Sequence, residues 1–130
     1  MPIECESATT AKGTPYLRTN VFARVTLADA QQMEVFLLPG QPLHGGPVLS
    51  VVAKGTEYDP DARKFFVTLS DKYGALAAVV TSPIVRAAIN LMLRLNGSVG
   101  AVRMFTNEDE ALAWLEDQPR ISASPPTTTK

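Results

Sequence analysis

Cysteine and histidine are nearly missing from this chain of 130 residues: Cys5 and His44 are the single representatives of their kinds. One cysteine cannot form an internal disulfide, so no disulfide framework supports the fold, and a reducing, cytoplasmic setting is expected. The pair also falls short of the ligand set of a Cys/His zinc centre, and neither a metal nor another cofactor is expected. A surplus of either charge is lacking too. Twelve Lys+Arg against thirteen Asp+Glu leave a formal net charge of −1, which argues against a nucleic-acid binder relying on a basic footprint. The longest apolar runs, such as Ala75 to Val80, are far short of the roughly 18–20 residues that span a bilayer. The start, Met1 to Ser7, has neither the basic n-region nor the apolar h-region of a secretory signal, so a soluble intracellular protein is expected.

What is present is an ordinary globular composition, 45% apolar, on a length that suits one domain. Ser7 to Thr14 is small, polar and without periodicity, and residues 1–15 are expected to form a flexible segment. Ser122 to Lys130 has a linker composition that cannot build a core, so residues 119–130 are expected to be a disordered tail. Between them, residues 16–118 are expected to form a single α/β domain.

Val21 to Leu27 alternates like a strand, with Val21, Ala23 and Val25 on one face, and Pro15 to Asn20 either extends it or pairs beside it. Ala28 to Leu38 reads as a short helix with Ala30, Met33 and Leu37, and also Ala28, Val35 and Leu38, available for burial. Pro39-Gly40 ends it. Gln41 to Pro47 is a Gly/Pro-rich loop in which His44 is expected to be exposed. Val48 to Ala53 is a nearly continuous apolar strand, the pattern of one covered on both faces. Asp59-Pro60 starts a second helix, Asp59 supplying an N-cap acceptor, and Ala62, Phe65, Phe66, Leu69 and Tyr73 make its apolar stripe. Ala75 to Val80 is a buried strand. Ser82-Pro83 starts a third helix, which ends at Asn96-Gly97. Ala101 to Phe105 is the last strand, followed by a helix capped by Asn107 with Glu110 or by Thr106 with Asp109. Strands alternating with helices predict right-handed crossovers and a mostly parallel sheet.

Two stretches carry a resemblance. Val80-Thr81-Ser82-Pro83-Ile84-Val85-Arg86 joins a buried strand to a helix, and Val102-Arg103-Met104-Phe105-Thr106-Asn107-Glu108-Asp109-Glu110-Ala111-Leu112-Ala113-Trp114-Leu115 joins the last strand to the last helix. Together they resemble the C-terminal half of the STAS superfamily, the fold of bacterial anti-sigma-factor antagonists (stage II sporulation protein AA-like, or SpoIIAA-like). The second is especially like small STAS-like bacterial proteins of unassigned function. By element order the likeness covers Val21 to Leu115. It implies an α/β fold with a mixed, mostly parallel sheet of four to five strands and about four helices, and it implies a regulatory protein-interaction domain. In such antagonists a serine in an Asp-Ser-Ser/Thr-Gly-Leu motif opens the second helix and is phosphorylated by a partner kinase, adding about −1.5 to −2 charge. The matching place here is Thr56 to Ala62. Its serine and glycine are both absent, so the phosphorylated residue is not carried over. Thr56 and Tyr58 keep hydroxyls nearby, and Asp59 completes the matching region.

No catalytic dyad can be assembled from the sequence. Ser82 has no Gly-x-Ser-x-Gly elbow and no histidine near it in sequence, and it reads as an N-cap. Asp59 and Asp61 suit the dipole at a helix start. Gly40 to Gly46 opens a strand rather than a helix and lacks the Gly-Lys-Ser/Thr ending of a phosphate loop. No enzyme is expected. The third helix carries apolar residues over a wide arc centred on Ile84, Ala88, Leu91 and Leu95, flanked by Val85 and Met92. Ile89 and Leu93 extend it beyond the roughly 100° that a helix on a sheet needs. Either a neighbouring helix covers these two, or Ile89 and Leu93, rimmed by Arg86, Asn90 and Arg94, form a surface for a protein partner, a second copy or an apolar ligand. A non-catalytic interaction module is the first expectation. A carrier of a lipid or other apolar small molecule, drawing also on Phe65, Phe66 and Phe105, is the alternative.

Overall fold

The computed structural model describes residues 3–69, 72–94 and 101–118, with the backbone alone for 92–94 and 101. Five strands form one sheet: β1 (Ile3–Thr9), β2 (Pro15–Val21), β4 (Pro47–Val52), β6 (Ala75–Val80) and β7 (Ala101–Phe105), in that spatial order. β1 and β2 are antiparallel, and every other neighbouring pair is parallel. Two two-residue strands, β3 (Arg24–Val25) and β5 (Glu57–Tyr58), pair separately at the carboxyl end of the sheet. The helices are α1 (Leu27–Leu37), α2 (Pro60–Thr68), α3 (Pro83–Arg94) and α4 (Glu108–Glu116). The fold is mixed α/β, as expected.

Alternation along the strands explains the two layers. Leu17, Val21, Val48, Val52, Leu76, Ala78 and Val80 turn to one face, where they pack with Ala30, Met33 and Leu37 of α1, Ala62 of α2 and its continuation Leu69, and Val85 and Ile89 of α3. Tyr16, Leu49, Ala75, Ala77 and Val79 turn to the other and meet Ala111 and Leu115 of α4. One helix cannot cover five strands, and on β1 and β2 that face also carries the polar Glu4, Glu6, Arg18 and Asn20. There the Arg18 guanidinium forks onto Glu108 in the first turn of α4, with Nη2 to Oε2 at 3.2 Å and the shorter Nη1–Oε1 contact beside it. Arg18 donating to it holds the Glu108 carboxyl below its ordinary value of 4.5. A carboxyl lowered on folding stabilises above its unfolded value and loses that contribution as pH falls through the folded one. The partly exposed pair is worth up to about 1 kcal/mol. Urea titrations of the native chain and Arg18→Met are therefore expected to differ by about that much near neutrality and to converge as the pH drops well below 4.5.

Three local expectations are corrected. Within the segment expected to be flexible, Ile3–Thr9 is an edge strand in register with β2, from Ile3 opposite Val21 to Thr9 opposite Pro15. Its inward residues Ile3 and Cys5 alternate with Glu4 and Glu6, which give the segment a polar look while protecting the edge. The strand expected over Val21 to Leu27 lies earlier, over Pro15–Val21, because Thr26 caps α1. The Thr26 hydroxyl accepts from the Asp29 amide at 3.4 Å and the Asp29 carboxylate accepts from the Thr26 amide at 2.9 Å, a capping box that starts the helix at Leu27. In α1, Ala30, Met33 and Leu37 are buried while Ala28, Val35 and Leu38 are exposed.

His44 is buried, not exposed. Its Nδ1 lies 2.7 Å from the Leu37 carbonyl, satisfying an orphan acceptor at the end of α1. The loop is pinned on both sides of the glycine pair, Gly45 donating to the Lys72 carbonyl and Gly74 to the Gly46 carbonyl. The expected tail, residues 119–130, and the end of the third helix at Asn96-Gly97 lie outside the described residues.

Candidate functional site

Parallel strands deliver β2, β4, β6 and β7 to a common carboxyl end. The register places Val21, Val52 and Val80 side by side there, so the segments that follow form one surface: Phe22 to Arg24, Ala53 to Asp59, and Thr81 to Ile84. Open parallel sheets gather their ligands at such ends. Phe22, Lys54, Thr81 and Ile84 are exposed on it.

The region expected to match the antagonists' switch holds a buried hydroxyl at Thr56. Thr56, 6% exposed, sends its hydroxyl to the Ala53 carbonyl at 2.7 Å with the Val21 carbonyl at 3.3 Å, closing a turn in which Gly55 takes φ +85°. That positive φ suits glycine. The hydroxyl thus holds the β4 turn against the end of β2. Tyr58 packs edge-on against Phe66, ring centroids 5.6 Å apart, and burial pushes its phenol far above the usual range. Asp59 occupies the N-cap position of α2, but its carboxylate makes no side-chain bond to the helix. It accepts instead from Arg24 Nε at 2.6 Å. The expected cap is therefore positional only, with Oδ1 of the carboxylate turned to the Arg24 guanidinium. Immediately before Arg24, Ala23 adopts φ +56°, the one non-glycine residue with positive φ among the described residues.

The surface expected on α3 is rotated from its sequence-based centre. Ser82 caps the helix, its Oγ accepting from the Val85 amide at 3.4 Å, and Val85 and Ile89 turn onto the sheet. Ile89 is only 7% exposed and belongs to the core, so it offers no docking surface. Its place toward the sheet leaves Ile84 and Leu91, at 82% and 52% exposure, on an outward flank with the exposed Ala87. Asn90 is exposed and Arg86 is half-buried, with its Nη2 donating to the Val80 carbonyl at 3.4 Å. The side chains of Leu93 and Arg94 lie outside the described residues. A wide apolar arc thus serves both core and surface, and the capped entry from β6 selects the buried part.

Burial pushes the Cys5 thiol up to about 11, away from the thiolate form. The aromatics that suggested a carrier are packed: Phe65 and Phe66 against the helix-layer core, and Phe105 against Trp114 at 5.7 Å between centroids. Among the described residues, no group of three His, Cys, Asp or Glu side chains could hold a metal ion, and no helix is long and apolar enough to cross a membrane.

Comparison with known proteins agrees with this architecture. The crystal structure of an uncharacterized protein from the DUF3478 family with a SpoIIAA-like fold, from Shewanella loihica PV-4, matches with a TM-score of 0.60 and 16% identity, covering 87% of this chain and 93% of that one. The resemblance read from the element order thus holds for the fold, which is SpoIIAA-like. No curated protein matches the chain. By its sequence over residues 16–118, the chain belongs to the family described as Domain of unknown function (DUF7793).

Proposed function

We propose that this domain is a non-catalytic regulatory module that docks a protein partner through the outward flank of α3 and the adjoining carboxyl ends of the strands, without the hydroxyl switch of the antagonists it resembles. The observation that carries this reading is the exposure of Ile84 and Leu91 on a helix whose Val85 and Ile89 already serve the core. Large apolar side chains held in water at i and i+7 on one helix face suit a partner's apolar surface. The matching switch region supports the absence of phosphorylation control, since Thr56 is buried and its hydroxyl is committed to backbone carbonyls.

The test is quantitative affinity purification of the full chain from its native cells, comparing the native protein with Ile84→Asp/Leu91→Asp. Exposed sites tolerate such changes within about 0.5 kcal/mol each, so the double variant is expected to keep its helix content and urea midpoint nearly unchanged. A stoichiometric partner is expected with the native chain and lost with the variant. Equal recovery with both would remove α3 from the interface.

A further inference from the structure

Ala23, Arg24 and Asp59 together show a contradiction in local preferences that points to a built-in conformational device. Ala23 sits at φ +56°, where an L side chain crowds the following carbonyl. Asp59 stands where a carboxylate ordinarily caps a helix, yet its oxygen is spent on Arg24, leaving α2 without a side-chain cap. Arg24 is itself 73% exposed, and a salt bridge so open to water is weak. The backbone bond that fixes the strained residue is the donation of the Glu57 amide to the Ala23 carbonyl at 2.9 Å. One register step inward, the Asp59 amide donates to the Val25 carbonyl at 2.9 Å, and Val25 is fully buried.

We propose that Arg24–Asp59 is a latch over the β3–β5 pair, with a second state in which Asp59 turns to cap α2 and Phe22 to Arg24 relaxes. In the closed state the salt bridge and the Glu57–Ala23 bond hold Ala23 in its left-handed conformation. On opening, both are lost, but two terms return: the backbone strain at Ala23 is relieved, and the free amides at the start of α2 gain the Asp59 carboxylate. Gains and losses fall in the same range, so the two states lie close in free energy. Val25, Tyr58 and α2 stay in place, and the motion is confined to the exposed segment carrying Phe22 and Arg24. That segment lies at the carboxyl end of the sheet, where it can rearrange as a partner docks without disturbing the core. The latch stands on local geometry and does not require the docking assignment above.

Residue-resolved amide hydrogen exchange by NMR tests the latch in the full chain, comparing native protein, Arg24→Met and Ala23→Gly. Exchange rates report the population of each opening. In Arg24→Met the Glu57 amide is expected to exchange several-fold faster, and the Asp61 and Ala62 amides to exchange more slowly, because the released Asp59 caps α2. The Asp59 amide, bonded to Val25, is expected to stay constant as an internal reference. In Ala23→Gly the strain disappears from the closed state, and the Glu57 amide is expected to slow by about fivefold or more. Faster exchange at Glu57, Asp61 and Ala62 together in Arg24→Met would show loosening without a cap exchange and would overturn the proposal. Unchanged Glu57 exchange in both variants would overturn it as well.

Discussion

Ile89→Asp is expected to cost roughly 3–5 kcal/mol, the penalty for an uncompensated charge in an apolar interior. Ile89 is 7% exposed and shares its cluster with Val52, Ala78, Val80 and Val85, none of which offers a side-chain donor to a carboxylate. A domain of this size has only about 5–15 kcal/mol of total stability, so the variant is expected to melt far below the native protein or to be largely unfolded. Ile84→Asp, five residues earlier on the same helix, is expected to shift the urea midpoint very little. The comparison isolates orientation: both are isoleucines on α3, and only the face differs. If Ile89→Asp proved as stable as Ile84→Asp, the helix would not sit on the sheet through Val85 and Ile89.

Leu49→Ala is expected to cost about 2–5 kcal/mol through lost transfer energy and the cavity left behind. Leu49 is fully buried in β4, between the flanking strands and beneath α4, among Tyr16, Ala77, Ala111 and Leu115. Two of these neighbours are alanines, already short, and their backbones are fixed by the ladder and by α4, so the site has little capacity to collapse. Urea unfolding followed by far-UV circular dichroism reads the change as a lower midpoint with an unchanged slope. Val35→Ala on α1, at an exposed position, is expected to leave the midpoint close to native. A similar cost at both positions would mean that α4 does not seal the second face.

The sequence pattern made the central sheet legible where strands are covered on both faces. Ala75 to Val80 and Ala101 to Phe105 have the bounds expected from apolar runs between turn residues, and β4 differs by a single residue at each end. Helix starts were legible where the cap is local chemistry: Ser82 and Asn107 accept from amides three residues on, as their spacing implies. Legibility failed where the deciding partner is remote in sequence. Nothing near Ile3 to Thr9 announces a strand, because the ladder that makes it one comes from β2. His44 looked like a loop residue because its acceptor lies at the end of α1 and its covering loop follows α2. Asp59 looked like a cap because Arg24, 35 residues earlier, is invisible to local rules. On α3 the periodicity gave a wide apolar arc but no reference direction, and the sheet supplied that direction. The exposed apolar flank of α3 thus lies at Ile84 and Leu91, and Ile89 belongs to the core.

The proposed docking flank is tested most directly by the dissociation constant of any partner recovered with the native chain, measured by calorimetry for the native protein, Ile84→Asp/Leu91→Asp and Val35→Asp. Apolar anchors at the centre of an interface typically contribute about 2 kcal/mol or more each when truncated. The double α3 variant is therefore expected to bind at least about thirtyfold more weakly, with Val35→Asp on α1 indistinguishable from native. Native-like affinity in the α3 variant, or an equal loss in both, would contradict the assignment of α3 as the partner surface.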